Sequence, residues 1–171
     1  MQPDSFSAVI QFVQSYWTVF TSASVLTGLC LVGTGLAHLN RRRQEGGGIA
    51  IGFTGMAVGA AFINIPGWID MWSLTLLGVH ASVDPLSYGT SDAAVNTGAV
   101  RAILGILGTV GAFGIAKGLL LFRESVYDRQ TFWPAVRHTV GGIFGVNFST
   151  AAQLLAPLVP GPVQTLLQIL S

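Results

Sequence analysis

The chain has 171 residues, of which eight are Lys or Arg and seven Asp or Glu, giving a formal charge of +1. Charged residues make up 9% and hydrophobic ones 51%, with a mean hydropathy of +0.63, where an ordinary soluble domain is roughly 25% charged. This argues against a water-facing globular surface and against nucleic-acid binding by bulk basicity, which needs many cations on phosphates. Lipid is the better-suited solvent, and the lone Cys30 can form no internal disulfide.

The segment Met1 to Thr21 has apolar residues at positions 6, 9, 10, 13, 17 and 20. That helical spacing predicts an amphipathic or interfacial helix, with Tyr16 and Trp17 near headgroup depth. It lacks the basic start of a secretory signal peptide. A first span follows from about Ser22 to Leu39, then a basic patch, Asn40 to Gly46. A second span runs from Gly46 to Ile65, about the twenty residues needed to cross hydrocarbon, and Pro66-Gly67 is expected to break it. Trp68, Asp70, Met71 and Trp72 suit an interface. Val79 to Gly98 is a polar loop containing His80, Asp84 and Asp92. A third span covers about Ala99 to Phe122, a second basic patch Arg123 to Arg137, and a fourth span about Thr139 to Leu158. The tail from Val163 to Leu170 suits a short surface helix.

The fold expected is all-α: a four-helix integral membrane protein built as two basic-linked helical hairpins, with an N-terminal amphipathic extension. It forms one membrane domain, with a first hairpin over 1–78, a polar loop over 79–98 and a second hairpin over 99–171. Arg41, Arg42, Arg43, Arg123, Arg129 and Arg137 stand on the side of the two short loops. Only Arg101 stands on the other, with Asp4, Asp70, Asp84 and Asp92. Because Lys and Arg are held back during insertion, both basic loops are expected in the cytoplasm. The termini and the long loop then face the periplasm across a bacterial inner membrane. Lys117, inside the third span, is expected to snorkel toward the basic end.

The spans are rich in glycine. Gly48, Gly52, Gly55 and Gly59 recur in the second, Gly105, Gly108, Gly111, Gly114 and Gly118 in the third, Gly141 and Gly145 in the fourth. Such positions allow close backbone approach, either within one bundle or between copies in a larger array. The basic loops set topology, or bind anionic headgroups through Arg41 to Arg43, Lys117, Arg123, Arg129 and Arg137; cations beside an anionic membrane gain roughly 1 kcal/mol each. A duplication is suggested by Gly47-Gly48-Ile49 against Gly141-Gly142-Ile143, and by Ala60-Ala61 against Ala151-Ala152.

No His, Cys, Asp and Glu grouping has metal-ligand spacing, no phosphate loop is found, and no serine has an evident oriented base. His38 and His138 fall at the basic ends of spans, with His80 alone in the long loop. Asp70 and Arg101 lie at one side of the membrane, where an ion pair between the second and third spans is favoured over a proton relay. No catalytic residue, metal or cofactor is expected beyond bound phospholipid.

Four features carry a resemblance. They are Gly33-Thr34-Gly35-Leu36 before a basic turn, the Gly-rich second span, Ile65-Pro66-Gly67-Trp68, and Asp84-Pro85-Leu86-Ser87-Tyr88. Together they resemble the DotE/IcmC membrane proteins of type IVB secretion systems and their TraQ relatives of I-type conjugative plasmids, over most of the chain. The resemblance implies a non-enzymatic membrane component of an apparatus that moves DNA or protein, with other secretion or conjugation components as partners and no sequence-specific nucleic-acid binding. The chain is also similar to conjugative pilins, basic-looped helical hairpins that leave the membrane for a filament with lipid between subunits. It departs from them in length and in its doubled span count. That similarity implies a homo-oligomer or filament with phospholipid as partner. The alternatives are a small four-span transporter or channel, with Lys117, Asp70 and Arg101 along a polar path, and an assembly chaperone that stays in the membrane.

Overall fold

A computed structural model describes residues 4–45, 49–78, 80 and 97–155, with side chains over 8–41, 49–78, 80 and 102–152. The described chain is helical: α1 (Asp4–Glu45), α2 (Ala50–Ile63), α3 (Ile65–Leu77), α4 (Thr97–Glu124), a 3-10 turn (Arg129–Thr131), α5 (Phe132–Val146) and α6 (Phe148–Leu155). Two helices are long and apolar enough to cross a membrane, α1 over Ala8–Arg41 and α4 over Ala102–Glu124, and the bent pair α2–α3 makes a third if taken as one broken span. That is the character of a membrane protein.

The expected extension and first span are one unbroken helix, α1. Ser and Thr residues on both sides of the expected junction bond back to the turn before: Thr18 to the Gln14 carbonyl, Thr21 to Trp17, Ser22 to Thr18 and Thr27 to Ala23, at 2.8–3.1 Å. Each hydroxyl is satisfied within the helix. Polar composition therefore marks no boundary here.

The second span breaks at Asn64, two residues before the expected Pro66-Gly67. Asn64 leaves helical geometry at φ −122°, ψ 51°, and its side chain accepts a hydrogen bond from the Gly67 N–H at 3.3 Å. Pro66 then lies in the first turn of α3, where its missing N–H costs nothing. The axes of α2 and α3 differ by 94°. With 14 residues, α2 is about 21 Å long, shorter than the ~30 Å hydrocarbon layer. Burial of Ile65, Ile69 and Ser73, four apart, turns one face of α3 inward, and Gly78 ends it at φ 71°, donating to the Leu74 carbonyl at 3.1 Å. Asn64→Ala should remove this cap and cost about 1 kcal/mol, read as a lower melting temperature in detergent; an unchanged midpoint would refute the capping role.

The second basic patch is mostly helix. Arg123 is in the last turn of α4, Arg137 is inside α5, and only residues 125–131 turn the chain. Asp128 fastens that turn, its carboxylate accepting from the Gln130 N–H at 2.9 Å. The predicted fourth span is two helices: α5 starts seven residues before Thr139, with Pro134 in its first turn, and the chain breaks at Asn147 before α6. Its end at Leu158, like the 163–170 tail and most of the 79–98 loop with its Asp84–Tyr88 motif, lies outside the described residues.

Helix α1 packs along α2, and α4 along α5. One core joins the two hairpins, with Phe20, Val58, Phe62, Ile65 and Ile69 from the first and Ala112, Ala116, Leu119 and Val146 from the second. Phe113 of α4 meets Phe20 at 4.9 Å and Tyr16 at 5.7 Å between ring centroids.

Candidate functional site

Backbone meets backbone inside each hairpin. A methyl group on Gly28 would lie 2.6 Å from the Gly59 carbonyl oxygen, and one on Gly59 2.7 Å from that of Gly28. A methyl on Gly111 would lie 2.6 Å from the Gly142 oxygen, and one on Gly142 2.5 Å from that of Gly111. Gly35 faces Gly52 and Met56 in the first hairpin as Gly118 faces Ala135 and Thr139 in the second. Without any gap, a shift of 83 residues carries Gly28 to Gly111, Gly35 to Gly118, Gly59 to Gly142, Met56 to Thr139 and Asn64 to Asn147. The chain is thus a structural repeat of helix, helix, asparagine break and helix. Its register differs from the expected pairing of Gly47-Gly48 with Gly141-Gly142 and of Ala60-Ala61 with Ala151-Ala152, because contacts rather than composition align the halves.

Of the glycines singled out in the sequence, Gly52, Gly55, Gly59, Gly111, Gly114, Gly118 and Gly145 lie within 4 Å of the partner helix, measured from an added methyl. Gly105 and Gly108 are buried. Gly141 faces open space with nothing within 4 Å, and Gly48 lies outside the described residues. No packing role was expected from the sequence for Gly28, or for Gly35 of the Gly33-Thr34-Gly35-Leu36 motif. Their signal is a spacing of seven, shared by Gly52 with Gly59 and Gly111 with Gly118: two helical turns, which returns a residue to nearly the same face.

The hairpins run parallel but are not level. Phe113 sits beside Phe20, although the repeat pairs Phe20 with Ile103. The Arg123 Nε lies 4.0 Å from a methyl on Gly55, which in turn faces Leu31 and Gly35. The second hairpin is therefore displaced along the helix axes by about two and a half turns, roughly 13 Å. Arg41, Arg129 and Arg137 are exposed and Arg123 is half-buried; the side chains of Arg42 and Arg43 lie outside the described residues. Tyr127, Phe132 and Trp133 are exposed around the second turn, the aromatic company expected at a headgroup boundary.

Lys117 is exposed on a cavity of about 320 Å³ between α1 and α4, lined also by Ser24, Thr27, Phe20, Phe62 and Leu120. Thr27 is fourteen residues from Arg41, about 21 Å along the helix, beyond the reach of a lysine stem. Along Lys117's own helix the nearest described basic residue is Arg123, about 9 Å on.

At the other end His80 is not isolated. Its Nδ1 lies 3.1 Å from both carboxylate oxygens of Asp70; the Arg101 side chain, the proposed partner of Asp70, lies outside the described residues. A polar contact missed in the sequence joins the hairpins: Asn147 Nδ2 donates to Ser73 Oγ at 2.7 Å and to the Ile143 carbonyl at 2.9 Å. Among the described residues no three His, Cys, Asp or Glu side chains are grouped to hold a metal. Compared with protein-family models, curated proteins and solved structures, the chain matches none.

Proposed function

We propose that the chain is a non-enzymatic structural subunit of a type IVB secretion or conjugation apparatus, inserted in the bacterial inner membrane and assembling with phospholipid into a filament. The sequence resemblance supports the apparatus. The architecture supports the structural role: two parallel hairpins closed on glycine backbone, joined with a 13 Å offset (about two and a half turns). In this reading α1, α2–α3, α4 and α5–α6 are four crossings with both termini periplasmic. The observation that carries it is the offset. In a flat bilayer the offset between the basic turns has to be taken up by helix tilt, bilayer thinning or arginine snorkelling, whereas a helical filament has no single headgroup level to satisfy. Arg41, Arg123, Arg129 and Arg137 then meet lipid phosphates or line a lumen at successive heights.

Negative-stain microscopy of shear fractions from cells with and without the chain tests the reading, followed by phosphate analysis of any filament. Filaments that depend on the chain and carry lipid are expected; none in the producing cells would refute the filament. The transporter reading is favoured by one feature, the Lys117 groove with Ser24 and Thr27 beside it. It requires Lys117→Gln to abolish flux through reconstituted vesicles. The structural reading expects that substitution to leave assembly intact, with conjugation or secretion changed less than about twofold, well under the tenfold that 1.4 kcal/mol represents.

A further inference from the structure

The repeat compares one surface in two settings. On α4, Ala112, Ala116 and Leu119 are buried as part of the core shared by the hairpins. The shift of 83 residues carries them to Leu29, Gly33 and Leu36 on α1. These are uncovered: Leu29 and Leu36 are 55% and 52% exposed, and Gly33 has nothing within 4 Å. The break residues behave alike, since Asn147 is buried and reaches across to Ser73 while Asn64 is exposed.

The receiving surface has the same history. Phe20, Val58 and Ala61 of the first hairpin are buried in the shared core. Their counterparts in the second, Ile103, Gly141 and Phe144, are exposed. The middle of each half of the internal interface therefore has an uncovered duplicate on the opposite side of the molecule, while toward α6 the receiving side is covered, Ala152, the counterpart of Ile69, being buried. The two duplicates differ from one another, so they suit head-to-tail joining, which forms open chains when its rotation does not close.

Resting on the reading as a self-assembling subunit, we infer that a second copy of this chain docks its α1 face, centred on Leu29, Gly33 and Leu36, against the α4–α5 face holding Ile103, Gly141 and Phe144 of the first. It repeats the contact by which α4 docks on the first hairpin. The offset between hairpins is carried from copy to copy, so the series rises along the helix axes and does not close into a flat ring.

Inside one chain Arg123 passes Gly55; between copies the matching positions are Asn40 and His138. Two differently tagged full-length chains, both with Cys30→Ser, are co-produced, one carrying Asn40→Cys and the other His138→Cys. They are purified in mild detergent, where no bilayer plane holds the copies level, and treated with a short bis-thiol reagent. The expected result is a mixed-tag cross-link at least several-fold above that of either variant alone, lost when Gly33→Phe is added to the Asn40→Cys chain. Gly33 faces open space, so Gly33→Phe leaves the single chain folded, checked by its helical circular dichroism. Absence of the mixed cross-link, its persistence undiminished with Gly33→Phe, or equal cross-linking by Asn40→Cys alone, which signals a face-to-face dimer, overturns the inference. Filaments without the cross-link would leave the proposed function standing and remove this contact. The cross-link without filaments would do the reverse.

Discussion

Gly111→Leu should prevent the second hairpin from closing and reduce the folded protein in membranes about tenfold or more. A methyl group at Gly111 would already fall 2.5 Å from the Val146 nitrogen, 2.6 Å from the Gly142 oxygen and 2.8 Å from the Gly145 carbonyl carbon. All three are backbone atoms, which cannot rotate away. Overpacking costs about 1–3 kcal/mol where neighbours can adjust, and tenfold in a folding equilibrium is only about 1.4 kcal/mol. Gly28→Leu should act alike in the first hairpin, through the Gly59 carbonyl and Ile63. Gly141→Leu is the control for closure within one chain, compared as detergent-solubilised monomer so that contact between copies does not enter: it adds the same side chain, one turn from Gly145, where nothing of its own chain lies within 4 Å. Solubilised membrane levels and protease resistance read the result. Equal accumulation of Gly111→Leu and Gly141→Leu would refute backbone contact as the basis of the hairpin.

The same contrast separates what was legible in the sequence from what was not. Long apolar helices follow from composition and run length, which is why the third span at Ala99 to Phe122 agrees with α4 to within two residues at each end. The breaks were harder to place. Pro66 draws attention because it removes a donor, yet a proline starts a helix as readily as it ends one, and the stop is Asn64, whose side chain captures the Gly67 N–H. Asn147 sits in an equally apolar run and carries no proline to mark it. Glycine spacing was visible, but which glycines touch depends on the partner helix: Gly141 lies in the same four-residue pattern as Gly145 and faces open space. The repeat was visible as composition and misregistered as sequence, because only backbone-contact positions hold the halves in step, and the residues between them, such as Lys117 opposite Thr34 and Phe144 opposite Ala61, have little in common.

Asn147→Leu and Ser73→Ala should each loosen α3 from the second hairpin, and the two together should cost less than the sum of the singles. Asn147 is 2% exposed. Its Nδ2 donates to Ser73 Oγ, which itself donates to the Ile69 carbonyl at 2.7 Å. The contact fixes α3, after its 94° turn, against the end of α5. Buried polar contacts between membrane helices are worth about 0.6 kcal/mol on average and up to about 1.7 kcal/mol; one with both partners shielded from water belongs near the upper value. Leucine keeps the γ-branched outline of asparagine, and the Ile143 carbonyl retains the Asn147 backbone N–H at 3.0 Å, so the substitution removes the link without orphaning that acceptor. Thermal unfolding in detergent across the four members of the cycle should give a coupling of about 1 kcal/mol or more, with proteolysis near Gly78 accelerated in both single variants. Asn64→Leu is the internal comparison: it removes the cap on α3 but no bond between hairpins, so it should show no coupling to Ser73→Ala. Strict additivity for Asn147 and Ser73 would mean that apolar burial of Ile65 and Ile69 alone holds α3 in place.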